Sequence, residues 1–159
     1  MGCDIHTYVE VKKDGVWTSY EFVDGFLDCR SYGLFGFLAD VRNYSFVPTI
    51  KPPTHKWPDD IGDEAKKDKE IWDCDAHSFT WFTARELLYY DYSKEFEDRR
   101  CMRQTASGVW NGASDAGVGN GIKTTLREFL GEWYFNEIDK LAHLPYSPDD
   151  VRVLIFFDN

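Results

Sequence analysis

The chain of 159 residues sets 18 lysines and arginines against 28 aspartates and glutamates, giving a net charge of −10 and a pI near 4.8. That balance excludes a broad surface for duplex nucleic acid or an anionic membrane, both of which need basic stripes, while a local pocket can still take a small anion. A hydrophobic fraction of 43%, with 17% aromatic, suits one domain spanning residues 1–159 with a real core and argues against disorder.

The opening Met1-Gly2-Cys3-Asp4-Ile5-His6 runs into Thr7-Tyr8-Val9-Glu10-Val11. Strand alternation puts Asp4 and His6 on one face and Cys3, Ile5, Val9 and Val11 on the other. Residues 3–12 and 16–22 predict a hairpin closed by Lys13-Asp14-Gly15, since Asp-Gly accepts positive φ. From Arg30 to Asn43, the spacing of Leu34, Phe35, Leu38 and Val41 predicts a helix with one apolar stripe. Gly33 and Gly36 each weaken it by roughly 1 kcal/mol and point to close backbone approach.

Pro48, Pro52, Pro53 and Pro58 rule out regular structure from 44 to about 57, and the charge-dense stretch 59–70 reads as a solvated helix or a flap. Residues 44–70 are therefore expected to be a polar insertion. Asp75-Ala76-His77 repeats the aspartate-x-histidine pattern, in a loop expected to lead to a helix capped by Thr83-x-x-Glu86. A glycine-rich loop is expected over 104–123, with Gly108, Gly112, Gly117, Gly119 and Gly121; Ile122 interrupts the Gly-Lys-Thr contiguity that a phosphate-binding P-loop needs.

Thr125-x-x-Glu128 is a second capping box, opening a helix over 125–143 with Leu126, Phe129, Leu130, Trp133, Ile138 and Leu141 on its apolar side. Val151-Arg152-Val153-Leu154-Ile155-Phe156-Phe157 reads as a strand buried on both faces, paired with the first hairpin. The expected fold is α+β: a small, mainly antiparallel sheet from the N-terminal hairpin and the C-terminal strand, packed by two or three helices.

Cys3, Cys29, Cys74 and Cys101 form no Cys-x-x-Cys pair, which argues against a structural zinc site and for reduced thiols in a cytoplasmic protein. No leader pattern and no membrane-spanning apolar run are visible. The Met-Gly start lacks the Ser or Thr of a myristoylation pattern, because His6 stands in that place.

Several chemistries fit the two Asp-x-His pairs. Asp4, His6, Asp75 and His77 could hold a divalent cation such as zinc or manganese, with water completing the shell. Alternatively, His6 and His77 act as base and acid across a phosphodiester, oriented by Asp4 and Asp75, with Arg30, Arg42 and Lys123 on the phosphoryl oxygens. Cys3 as a nucleophile beside His6 is disfavoured by alternation. A purely structural role, with the histidines pinning the N-terminus through hydrogen bonds, stays open.

The opening six residues, Arg30-x-Tyr32-x-Leu34-Phe35, Val41-Arg42-Asn43, Asp75-x-His77-Ser78-x-Thr80-Trp81 and the closing Val-Arg-Val-Leu-Ile-Phe-Phe-Asp-Asn together resemble a family of small proteins of tailed bacteriophages and prophages. The resemblance implies an accessory, anti-defence role in the cytoplasm of an infected bacterium. The expected partner is a small phosphorylated nucleotide signal, bound by Arg30, Arg42, Asn43, Tyr32, Trp81 and Lys123 and cleaved by a phosphodiesterase-like activity; a homo-oligomer is compatible with this. Two alternatives are a sponge that sequesters the signal uncleaved and a protein-binding inhibitor or structural accessory protein.

Overall fold

The computed structural model describes residues 2–100, 103–104, 110–111 and 121–159. Along the chain run β1 (Ile5–Lys13), β2 (Val16–Tyr20), α1 (Tyr32–Ala39), α2 (Asp63–Trp72), β3 (His77–Thr83), α3 (Ala84–Leu88), β4 (Glu95–Asp98), β5 (Arg103–Gln104), β6 (Trp110–Asn111), β7 (Ile122–Thr125), α4 (Leu126–Ala142) and β8 (Val151–Phe157). The fold is α+β, with the expected hairpin and C-terminal strand in one antiparallel sheet of order β2-β1-β8-β3. Contacts gather the chain into two compact units: Met1–Arg30, Pro52–Tyr90 and Trp133–Asn159 form the first, Ser31–Lys51 and Asp91–Glu132 the second.

The first unit holds the four-stranded sheet. All seven residues of β8 are buried, as a continuous apolar run between two neighbours requires. Its one charge, Arg152, is only 2% exposed and is neutralised in place. Its guanidinium donates to Glu10 Oε2 at 2.8 Å, to Asp60 Oδ1 at 2.9 Å and to the Asp60 carbonyl at 2.9 Å, and lies 4.0 Å from the centroid of the Trp17 ring. Glu10 and Arg152 are direct cross-strand partners, so register and charge pairing agree.

Pairing sorts the sheet into two faces. Ile5, Val9 and Val11 share one face with Phe157, Val153 and Val151. His6, Tyr8 and Glu10 share the other with Phe156, Leu154 and Arg152. That second face is covered by Trp57 and Ala65, with Trp72, Phe79 and Trp81 packed around them. The Trp57 indole N–H donates to the carbonyls of Thr80 and Ile155, at 3.0 and 2.9 Å.

The stretch 44–70, expected as a polar insertion or flap, contributes to the core at a few positions, while its charge-dense part forms the largely exposed helix α2. Val47, Ile50, Trp57 and Ala65 are all buried, while α2 exposes charged residues together with Ile71. A second correction concerns His77, which opens β3 instead of lying in a loop before a helix. Ser78, at φ 54°, bulges the strand between the His77–Phe157 and Thr80–Ile155 pairs. The Thr83–Glu86 capping box is present, but it starts a helix of only five residues.

In the second unit, α1 is buried all round from Gly33 to Ala39 instead of along one stripe. A Cβ on Gly36 would lie 2.7 Å from Asn43 Oδ1, so glycine there admits the loop that follows the helix. β4 pairs antiparallel with β7, and Phe96 meets Phe129 edge-to-face at 5.0 Å. Of the expected glycine-rich loop, residues 105–109 and 112–120 lie outside the described residues.

α4 starts on the expected Thr125–Glu128 box, with Glu128 N donating to Thr125 Oγ1 at 3.2 Å. Gly131 then breaks it, at φ 75° and ψ 167°. Beyond the break the buried positions are Tyr134, Glu137, Ile138 and Leu141, a fresh stripe of helical period. Trp133, expected on the apolar side, is 45% exposed because the break resets the phase.

Candidate functional site

The ends of β1 and β8 build the most organised polar constellation of the first unit. Asp158 follows β8 and receives the Asp4 N–H at Oδ1, 3.0 Å, while its own N–H donates to the Asp4 carbonyl at 3.2 Å. The other carboxylate oxygen, Oδ2, lies 3.1 Å from His6 Nε2. With Nε2 protonated, the imidazole donates to Asp158 and keeps its Nδ1 lone pair, the disposition of a histidine oriented for proton transfer. The ring is clamped between aromatics: it stacks on Phe156 at 4.5 Å and 10°, and meets Trp72 at 4.5 Å and 51°. Its side chain is 24% exposed, and a cleft of about 270 Å³ opens beside it.

Asp4 shares the strand face of His6 but does not bond its ring. Its carboxylate takes a bidentate pair from Arg30, Nε to Oδ1 at 2.7 Å and Nη2 to Oδ2 at 2.5 Å. That hydrogen bonding, with the positive charge of Arg30, holds the Asp4 carboxyl below the usual aspartate value of 3.8. Gly2 lets Arg30 lie across the chain start, since a Cβ there would come within 2.7 Å of the guanidinium.

His77 is not brought to this site. It pairs with Phe157 while His6 pairs with Phe156, and adjacent residues of β8 point to opposite faces. The sheet therefore stands between the two imidazoles, which removes the geometry for base and acid acting on one phosphodiester. His77 Nδ1 lies 2.9 Å from Ser78 Oγ, and its Nε2 is buried without a hydrogen-bond partner. Asp75 is exposed in a short 3₁₀ turn, Asp73–Asp75. The set Asp4, His6, Asp75 and His77 thus does not converge, and among the described residues no group of three or more His, Cys, Asp or Glu could hold a metal ion. Cys3 is fully buried. Trp81 packs against the buried cluster around Trp57 and Phe156.

Tyr32, Arg42, Asn43 and Lys123 belong to the second unit. The Arg42 guanidinium lies 5.4 Å from the centroid of the Tyr32 ring, and Tyr44 meets Tyr32 edge-on at 6.0 Å. A second pair of this kind follows, with Arg99 5.2 Å from the centroid of Phe46. Tyr44 and Phe46 are 44% and 48% exposed, and the Arg99 N–H ties the two segments by donating to the Ser45 carbonyl at 3.1 Å. Asn43 is committed to the loop: its amide nitrogen donates to Asp40 Oδ1 and the Val47 carbonyl, and its oxygen accepts from Val47 N. Lys123 is exposed on β7, opposite Glu97.

Residue-by-residue reading overlooked Asp158, Tyr44, Phe46 and Arg99. Asp158 was within reach, since pairing the last strand with the first places the residue after Phe157 beside Asp4. The alternation of aromatics and arginine in Tyr32, Arg42, Tyr44 and Phe46 was also visible, but only the fold adds Arg99 from β4. No family model matches the chain, and no curated protein or solved structure matches it significantly.

Proposed function

We propose that this protein binds a small phosphorylated nucleotide, and sequesters it intact, through the arginine–aromatic cluster of its second unit. The observation that carries the reading is the Arg42 guanidinium over Tyr32 with Tyr44 edge-on beside it. Exposed rings stack bases, and a guanidinium held over a ring offers its donors to phosphate oxygens. Charge distribution supports the same location. The second unit contains eight acidic and eight basic residues, so the whole net charge of −10 belongs to the first unit. The second unit itself adds no net repulsion to an approaching phosphate. The resemblance to tailed-phage proteins narrows the ligand to the nucleotide signals of host immunity.

Cleavage is the second reading, and the His6–Asp158 pair favours it, now with one histidine in place of two. One experiment separates the readings. The protein is incubated with cyclic dinucleotides and ADP-ribose derivatives, heat-denatured, and the released ligand is chromatographed. Ligand depleted from solution and returned unchanged is the expected result, with binding weakened at least tenfold by Tyr32→Ala or Arg42→Ala, roughly 1.4 kcal/mol. Product formation abolished by His6→Phe replaces sequestration with hydrolysis. No depletion of any of these compounds overturns nucleotide binding.

A further inference from the structure

We infer that the free edge of β1 at Ile5–Tyr8 is a docking site for an extended, basic peptide segment that adds a strand to the sheet. The inference concerns the first unit and does not depend on the nucleotide reading. β1 pairs with β8 along Ile5–Val11, but with β2 only from Val9 onward, because β2 ends at Tyr20. Among the described residues no strand covers residues 5–8 on that side, a span of about 13 Å at ~3.3 Å per residue.

The direction of the backbone groups there is fixed by the hairpin. The two-residue turn at Asp14-Gly15 makes Lys13 and Val16 a pair, and Lys12 N donates the other way, to the Asp150 carbonyl at 2.8 Å. Alternation from Lys13 through Val11 and Val9 then aims the N–H and C=O of Thr7 and Ile5 at the open edge. Such groups are a template for an incoming strand.

The edge is flanked by cavities on both sides of Thr7, of about 210 and 270 Å³, which share Thr7, Tyr8, Gly25 and Phe26. The Phe26 carbonyl accepts from Thr7 Oγ1 at 2.5 Å, which fixes the 25–28 loop as a wall beside the strand. Charge selects the occupant. Glu21, Glu64 and Asp28 line the two cavities and all are exposed. The ammonium of Lys140, over Phe22, is already paired with Glu137 at 2.6 Å and does not neutralise them. In a strand, alternate side chains face the same way, so a segment with a basic residue at every second position sets its cations against these carboxylates.

The test uses capped hexapeptides and the whole protein: alternating Arg-Val, alternating Glu-Val, and the Arg-Val peptide with proline at a central position. The readout is amide hydrogen exchange by NMR. Expected is slowed exchange at Ile5 and Thr7 with the Arg-Val peptide, none with the Glu-Val peptide, and at least tenfold weaker binding with proline. Glu21→Lys and Asp28→Lys, both at exposed loop positions, are expected to weaken the Arg-Val peptide at least tenfold. Unchanged exchange at Ile5 and Thr7 at millimolar peptide overturns the inference. So does equal binding of the proline peptide, which would mean cation capture without a strand.

Discussion

At the residue scale, Arg152 carries the sharpest energetic consequence. Its side chain and that of Glu10 are 3% and 2% exposed, so each charge depends on the other for its solvation. Arg152→Met leaves Glu10 charged and buried, and is expected to cost about 3–5 kcal/mol, read as a fall in the urea midpoint. Adding Glu10→Leu should recover part of that loss, because it removes the buried unpaired carboxylate, at the cost of the acceptor that Glu10 Oε1 gives the Gly62 N–H at 2.6 Å. If the double variant is no more stable than the single, the pair is not acting as a unit. The sequence offered Arg152 as a lone charge in an apolar strand. Its partners at positions 10 and 60 became visible only with the pairing of the two chain ends. His6 was legible as a strand residue facing away from Cys3, but the ring that clamps it, Trp72, comes from a stretch whose charges concealed its role.

At the scale of elements, hydrophobic period served where it was uninterrupted and misled where the backbone broke it. β8 was readable because seven consecutive residues share one environment. β3 was not: the bulge at Ser78 shifts the alternation, and the capping box that follows drew attention to a helix of five residues. α4 contains both cases. Its start follows Thr125 and Glu128, yet Gly131 sits at φ 75°, ψ 167°, a region open essentially to glycine alone. Gly131→Ala is expected to destabilise the protein by about 1–3 kcal/mol by thermal or chemical denaturation, although a Cβ there would touch nothing within 4 Å. A neutral or stabilising result would mean that the helix runs through position 131 without the break.

At the scale of the whole molecule, the acidic surface and its ion pairs set a pH window for stability. The carboxyls of Asp4, Asp60 and Asp149 are held below the ordinary value of 3.8, chiefly by hydrogen bonds from Arg30, Arg152 and Arg85. Their contribution is complete above that value and is lost as pH falls through the lowered ones. Tyr8 has the opposite sign. Burial, then the Asp68 acceptor, raises its hydroxyl above 10.0, so its contribution is whole below pH 10 and is lost as pH rises beyond. The expected Tm profile is flat between these limits for these groups and falls on both sides; Tyr8→Phe should remove the alkaline part of the fall that Tyr8 supplies. The α+β class and the sheet built from both termini followed from the apolar pattern alone. The division into two units did not, because the chain passes between them at 30–31, 51–52, 90–91 and 132–133, and hydrophobic period does not announce such crossings.

The last strand of the sheet is also its middle one. Val11 pairs with Val151 and Ile5 with Phe157, partners 140 and 152 residues apart. β1 and β3 cannot be joined until β8 arrives, so the loop with the largest entropic cost must close before the sheet acquires its core. During synthesis the first hairpin therefore waits with its apolar face uncovered until β8, whose residues pair with partners 140 to 152 positions earlier, has been made.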